Sequence, residues 1–193
     1  MSLLKKIAEA GAEKLTRRRF MKATVLAAMA GVFPCPCLAA LRGRVSSERK
    51  LAFFNTHTGE SLEAVYWANG KYLSPAMTKI DHILRDDRTN EIKPIDIRLL
   101  DLLFAMAVKF ESQQPFHIIS GYRSRETNAL LRQCGGGVAK NSLHMQGKAV
   151  DIRMPDVRLA SLRQAAVNLK GGGVGYYPRS NFVHIDVGRI RYW

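Results

Sequence analysis

Two short segments concentrate the residues of this chain that could do chemistry. In SLHMQGKAVD (Ser142–Asp151), a histidine and an aspartate stand seven positions apart, with Gly147 between them. In VHIDVG (Val183–Gly188), a histidine and an aspartate stand two apart. Side chains along a strand repeat every two residues, so Val183, Ile185 and Val187 point one way and His184 and Asp186 the other. The same alternation turns Asp151 away from the apolar Val150 and Ile152. A sheet with one packed face and acid plus histidine on the other would floor a polar cleft. Two imidazoles and one carboxylate are the protein ligands of many catalytic zinc sites, with the fourth position left for water. Spacing alone leaves a second reading open, in which His144–Asp151 and His184–Asp186 are unrelated hydrogen-bonded pairs. The other three histidines, His57, His82 and His117, have no such company and read as ordinary surface or core residues.

The elements that must position these residues are legible from pattern. KLAFFNTHTGESLEAVYWANGKYL (Lys50–Leu73) alternates and is rich in aromatic and β-branched residues, with turn signals at HTGES and ANGK. It reads as a hairpin or short meander. SPAMTKIDHILRD reads as a helix with Ser74 as N-cap and Pro75 at its first position, burying Met77, Ile80, Ile83 and Leu84. Ile95–Phe110 is apolar nearly all round and suits a central buried helix. FHIISGYRS is a buried strand running into a loop, after which Ser124 caps the helix RETNALLRQ and GGG ends it. AVDIRM is a strand, and DVRLASLRQAAVNL a helix stopped by Gly171–Gly173. The chain ends in two strands around a turn at Pro178–Asn181. The expectation is an α+β fold: one small domain whose mostly antiparallel sheet floors the cleft, with helices packed around it.

The first forty residues bear on the compartment. TRRRFMK (Thr16–Lys22) precedes the apolar run Ala23–Leu38 and then two alanines. Basic, apolar and small-residue regions in that order make a signal peptide, and the paired arginines make it a twin-arginine export signal. The apolar run is shorter than the ~20 residues of a membrane helix and contains Pro34 and Pro36. Residues 1–40 are therefore expected to be the signal, either cleaved near Ala39–Ala40 or retained as an anchor, 41–50 a flexible leader and 51–193 the folded domain, with no stable transmembrane span if the signal is cleaved. Losing residues 1–40 removes seven basic and two acidic residues and lowers the net charge from +14 to +9. A basic exported protein meets anionic cell wall and headgroups. Without any aromatic-basic module, nucleic-acid binding is excluded. Only Cys134 remains after cleavage, so neither an internal disulfide nor a cysteine zinc site is available.

SLHMQGKAVD fits the pattern S-x-H-x-x-G-x-A-x-D. With SGYRS upstream and FVHIDVG downstream, it resembles the zinc D-alanyl-D-alanine peptidases. That superfamily also holds the vancomycin-resistance dipeptidases, the lysostaphin-related murein endopeptidases and the Hedgehog signalling domain. The chain is most similar to its twin-arginine-exported murein endopeptidase branch, over roughly Phe53 to Trp193. The resemblance implies His144, Asp151 and His184 as zinc ligands. It implies Arg123 as the group that contacts substrate or stabilises the oxyanion, and Ser142 as a substrate hydrogen-bonding residue. Many relatives carry an acid three residues before the last histidine as general base, and here that position is Asn181. Asp186 is the nearest replacement, either as base or as the carboxylate that orients His184.

The resemblance further implies a periplasmic endopeptidase that cuts peptidoglycan crosslinks, between two diaminopimelates or from D-alanine to diaminopimelate. Its partners would be stem peptides and, during export, the twin-arginine translocase. Tyr177 and Tyr176 could line the cleft, and Arg125, Arg153 and Arg179 could meet substrate carboxylates or stay solvated. Two alternatives remain: a zinc-bearing wall-binding domain without turnover, and a D-alanyl-D-alanine carboxypeptidase.

Overall fold

Alternation in ERKLAFFN and SLEAVYWA builds a hairpin. Strands β1 (Glu48–Asn55) and β2 (Ser61–Ala68) bury Leu51, Phe53, Ala64 and Tyr66 on one face. A computed structural model of the chain describes residues 48–135 and 137–193. The expected signal, and the expected leader up to residue 47, lie outside the described residues. Residues 48–50 of that leader belong to β1, where Glu48 and Arg49 pair with Ala68 and Trp67, so the domain begins earlier than expected. β3 (Lys71–Tyr72) returns from β2 through Asn69 and Gly70, both at positive φ, the two-residue turn that Asn-Gly favours.

The remaining strands are β4 (Phe116–Ser120), β5 (Ala149–Arg153), β6 (Gly173–Tyr177), β7 (Phe182–Asp186) and β8 (Arg191–Tyr192). They complete one eight-stranded sheet in the order β3-β2-β1-β4-β5-β7-β6-β8. The sheet is mostly antiparallel, as expected, but mixed: β1 runs parallel to β4 and β6 parallel to β8. The first parallel pair follows from the crossover through two helices, α1 (Ser74–Ile83) and α2 (Ile97–Phe110).

α1 begins at Ser74 with Leu73 at the cap, and no side chain caps it. The expected cap at Ser74 is one residue late, because Pro75 is tolerated anywhere in the first turn, where its missing N–H costs nothing. α2 is capped by Asp96, whose carboxylate accepts from Arg98 N at 3.0 Å. It is not buried all round. Leu99, Leu100, Leu103 and Met106 face the sheet, whereas Ile97 and Val108 are exposed. A helix lying on one face of a sheet needs only an apolar stripe. α3 (Arg125–Gln133) has the expected Ser124 cap, with Ser124 Oγ accepting from Thr127 N at 3.1 Å. α4 (Leu159–Leu169) closes on Lys170 in the left-handed region, just before the expected glycine stop.

One core joins α2 and α4 to the sheet. Leu162 and Ala166 pack in the same cluster as Val150, Ile152, Val183 and Ile185. Those four alternate with Asp151 and His184, which therefore face the opposite side. Truncating such a buried aliphatic side chain to alanine costs ~2–5 kcal/mol. Among the described residues no helix is long and apolar enough to cross a membrane.

Candidate active site

His144 stands on a single 3₁₀ turn, Leu143–Gln146. Ser142 caps it, its hydroxyl accepting from His144 N at 3.3 Å. Gly147 ends it at φ 66, and a Cβ there would meet Pro94 O at 2.3 Å. Only glycine fits both the dihedral and the space. The Gly147 carbonyl accepts from Asp96 N at 2.9 Å, so the start of α2 buttresses the turn.

Asp151 and His184 are direct partners across the β5–β7 ladder. A register shift between Ile118 and Ser120 of β4 sets Ser120 opposite Asp151 on the other side. Such irregularities re-aim side chains beside functional sites. The two imidazoles are then fixed by their outer nitrogens. His144 Nδ1 lies 2.7 Å from the Gly121 carbonyl, which can only accept, so Nδ1 carries the proton and Nε2 turns its lone pair inward. His184 Nε2 lies 3.0 Å from Asp186 Oδ2 and donates to it, so His184 Nδ1 turns its lone pair inward too.

Three acceptor atoms thus converge. His144 Nε2 and His184 Nδ1 are 3.1 Å apart, and Asp151 Oδ1 is 2.8 Å from His184 Nδ1 and 3.3 Å from His144 Nε2. Acceptors at such separations repel unless a cation sits among them, either a proton or a metal ion. A four-coordinate zinc with bonds of ~2.0–2.2 Å sets its ligand atoms roughly 3.3–3.6 Å apart. The donor set fits such an ion with a few tenths of an ångström of adjustment.

Charge is arranged in alternation around this centre. Asp186 is fully buried and accepts from His184, from Arg191 Nη1 and Nη2 at 3.1 and 2.7 Å, and from the N–H groups of Gly173 and Gly188. Burial opposes its charge, but these donors outweigh it and hold the carboxyl well below the usual range. Asp151 behaves likewise: burial is outweighed by the charge and hydrogen bonds of His144 and His184, and its pKa is lowered. Burial also opposes protonation of His184, yet hydrogen bonds to Asp151 and Asp186 outweigh it and raise its pKa to about 9. Arg123 is buried, and its Nη2 reaches Ser120 Oγ at 3.1 Å and Asp151 Oδ2 at 3.5 Å. Burial pulls its pKa below the ordinary arginine value.

A cavity of about 340 Å³ opens over these groups, lined by Arg123, Ser142, His144, Asp151, Tyr177 and His184 among others. The structure therefore brings together Arg123, Ser142, His144, Asp151, His184 and Tyr177. Asp186 lies behind His184, outside the cavity lining, with both oxygens engaged. Asn181 sits in the β6–β7 turn at φ 55, exposed and away from the lining. Tyr176 packs against the core, and Arg125, Arg153 and Arg179 do not line the cavity.

Sequence reasoning missed Gly121, Arg191 and Trp193. The Trp193 ring lies 5.3 Å from that of His184, under the Arg191 guanidinium at 4.9 Å, and its Nε1 donates to the Tyr177 hydroxyl at 2.8 Å. One signal was available: a buried Asp186 requires a cation, and Arg191 follows it by five positions. Gly121 acts through its carbonyl, which leaves no trace in residue type.

Residues 44–193 match the family described as peptidoglycan L,D-endopeptidase MepK. The chain is 41% identical to the peptidoglycan L,D-endopeptidase MepK of Escherichia coli K12 over 177 residues, covering 92% of this chain and 96% of that protein. The Shigella flexneri protein of the same description gives the same figures. The probable peptidoglycan L,D-endopeptidase MepK of Haemophilus influenzae is 42% identical over 147 residues, covering 75% of this chain and 78% of that protein. These matches bear out the resemblance carried by the SLHMQGKAVD, SGYRS and FVHIDVG motifs. The chain is a peptidase and belongs to the peptidoglycan L,D-endopeptidase MepK family.

Proposed function

We propose that this chain is a zinc-dependent endopeptidase that hydrolyses peptide crosslinks of peptidoglycan in the periplasm, reached by twin-arginine export. The observation that carries the proposal is the convergence of His144 Nε2, Asp151 Oδ1 and His184 Nδ1, each fixed with its lone pair inward, at the floor of an open cleft. Those three atoms would hold the ion. Bound there, a zinc ion would supply Lewis-acid polarisation of the scissile carbonyl and a water of lowered pKa.

The chain's own residues take defined parts. Arg123, buried beside Asp151, carries a permanent charge toward the developing oxyanion. Asp186 holds the proton on His184 Nε2. With five hydrogen bonds already accepted, it orients the ligand and does not act as a base. Ser142 shapes the ligand turn and lines the cleft. Tyr177, 38% exposed on the cleft wall, is placed to contact the stem peptide. The L,D description of the relatives favours the diaminopimelate–diaminopimelate bond, whose carbonyl belongs to an L-centre and whose nitrogen to a D-centre. The D-alanine–diaminopimelate bond joins two D-centres.

A wall-binding domain without turnover is the second reading, motivated by Asn181 at the position where many members of the wider superfamily that the motifs resemble carry an acid. The test is to incubate purified crosslinked muropeptide dimers with zinc-loaded and chelator-treated protein and to weigh the products. Zinc-dependent conversion to monomers is expected, with product masses naming the bond. Intact dimers after incubation with protein holding one zinc would refute the proposal. Loss of terminal D-alanine alone would make the chain a carboxypeptidase.

A further inference from the structure

The cleft continues past the metal ligands. Arg123, Asp151 and Phe182 line both the larger cavity and a second one of about 200 Å³ on their other side. The second cavity ends among His57, Asp86, Asp87, Arg88 and Tyr122. Its polar groups divide into engaged and unengaged. Asp86 accepts from Arg88 N, Thr89 N and Ser124 N at 2.9, 3.2 and 2.6 Å, and so holds the loop together. The Tyr122 hydroxyl donates to Glu91 Oε1 at 2.7 Å.

His57 Nε2 donates to the Ile119 carbonyl at 3.0 Å, which turns the Nδ1 lone pair toward Asp87 Oδ2, 3.9 Å away. That separation is too long for a hydrogen bond, but two acceptors so spaced can share one donor lying about 2.8 Å from each. The Asp87 carboxylate accepts no hydrogen bond, and the exposed Arg88 guanidinium makes none, among the described residues. The cavity therefore ends in an open acceptor pair beside an open guanidinium. That arrangement is complementary to an ammonium and a carboxylate carried on one carbon.

We propose that this second cavity is the subsite for the free amino-acid end of diaminopimelate, its ammonium between Asp87 and His57 and its carboxylate on Arg88. The inference rests on the endopeptidase reading and names what that site selects. In a diaminopimelate–diaminopimelate crosslink, the residue that gives its L-centre carbonyl to the bond keeps the amino and carboxyl groups of its D-centre. Four carbon–carbon bonds of ~1.5 Å separate the two centres, reaching about 5 Å when extended. A carbonyl held beside the Arg123 guanidinium would leave that zwitterionic end to extend into the adjoining cavity, which Arg123 and Asp151 also line. The smaller cavity suits a side chain that ends, and the larger one a peptide that continues. D-Alanine in the same position has only a methyl group and leaves the second cavity unfilled.

The test uses diaminopimelate–diaminopimelate dimers, whose one free amine is this D-centre amine, in native and N-acetylated form. Zinc-loaded wild type, Asp87→Asn and Arg88→Gln are compared on both. Acetylation should lower wild-type kcat/KM by about 10- to 100-fold, mainly through KM. Asp87→Asn should lose a similar factor on the native dimer and cleave the acetylated dimer as well as wild type does. Arg88→Gln should lose about tenfold on both. Equal cleavage of the two dimers by wild type would overturn the subsite, as would an acetylation penalty that persists in Asp87→Asn. If zinc-loaded wild type cleaves neither dimer, the endopeptidase reading itself fails, and the subsite with it.

Discussion

Replacing Asp186 by asparagine separates the two roles its position allows. The carboxylate is fully buried and accepts from five donors: His184 Nε2, both terminal nitrogens of Arg191, and the N–H groups of Gly173 and Gly188. Asparagine offers one acceptor oxygen. If that oxygen serves the two glycines, its NH₂ faces His184 Nε2, which must then accept; the imidazole proton moves to Nδ1 and blocks the metal. If the oxygen serves His184 instead, the NH₂ confronts the glycine N–H groups. Both arrangements leave Arg191 without its counter-charge; because that guanidinium is one-third exposed, the loss of stability should fall below the ~3–5 kcal/mol of a fully buried pair. Outer partners of this kind are worth about 10- to 100-fold in metal affinity. Asp186→Asn is therefore expected to weaken zinc binding by that factor in a chelator-competition titration, while kcat at saturating zinc stays within about tenfold of wild type. A general base would behave in the opposite way, its loss costing about 10²–10⁴ in kcat. Unchanged zinc affinity with kcat lowered more than about 100-fold would refute the orienting role.

Four further outcomes are expected. Gly147→Ala forces a left-handed alanine against the Pro94 carbonyl, and should lower Tm by at least about 5 °C in a thermal scan and weaken zinc binding with it. His184 is raised from its unfolded value to about 9, so in chelated protein its contribution is fully present below about pH 6.5 and lost as pH rises through about 9. Urea unfolding of the chelated protein should show stability falling by roughly 3 kcal/mol across that window, and a flat profile would contradict the hydrogen-bond assignment. Arg123→Lys keeps the charge but not the fork, and should lower kcat at least about tenfold with zinc content unchanged by elemental analysis. Asn181→Glu, which places an acid three residues before His184, should not raise kcat, because this position lies in an exposed turn off the cavity; a gain in steady-state rate would show that the turn reaches the metal.

How far the sequence anticipates this arrangement follows from which facts depend on residue type and which on chain path. The faces of β5 and β7 were legible because alternation is local: Val150, Ile152, Val183 and Ile185 mark the core, and Asp151 and His184 are left over. The Ser124 cap and the Asn69–Gly70 turn are likewise short-range. Ser74 was misplaced by one residue because a proline near a helix start marks the first turn and not its first position. Tyr176 and Tyr177 point to opposite faces of β6, and which of them shares the His184 face is set by the β6–β7 register, which pairs Gly175 with His184 and Tyr177 with Phe182. The Gly121 carbonyl, the Arg191 clamp and the Trp193 ring depend on how separate loops meet, and no periodicity encodes that.

The proposed metal triad also depends on register more than on the identity of any one residue. Asp151 and His184 are 33 positions apart and meet only because they are opposed on the β5–β7 ladder. Strand side chains have period two, so a slip of one residue would turn Ile185 into the cleft and His184 into the core. The turn at Pro178–Asn181 is one of the devices that fixes this register, and it needs a left-handed residue at Asn181, where asparagine is among the best tolerated. The bulge in β4 and the Gly147 turn fix the other two approaches, bringing Ser120 beside Asp151 and His144 over both. Asn181 is thus better understood through the backbone conformation it permits than as a general base. Asn181 serves the turn that sets the β6–β7 register, and through it the place of His184 opposite Asp151.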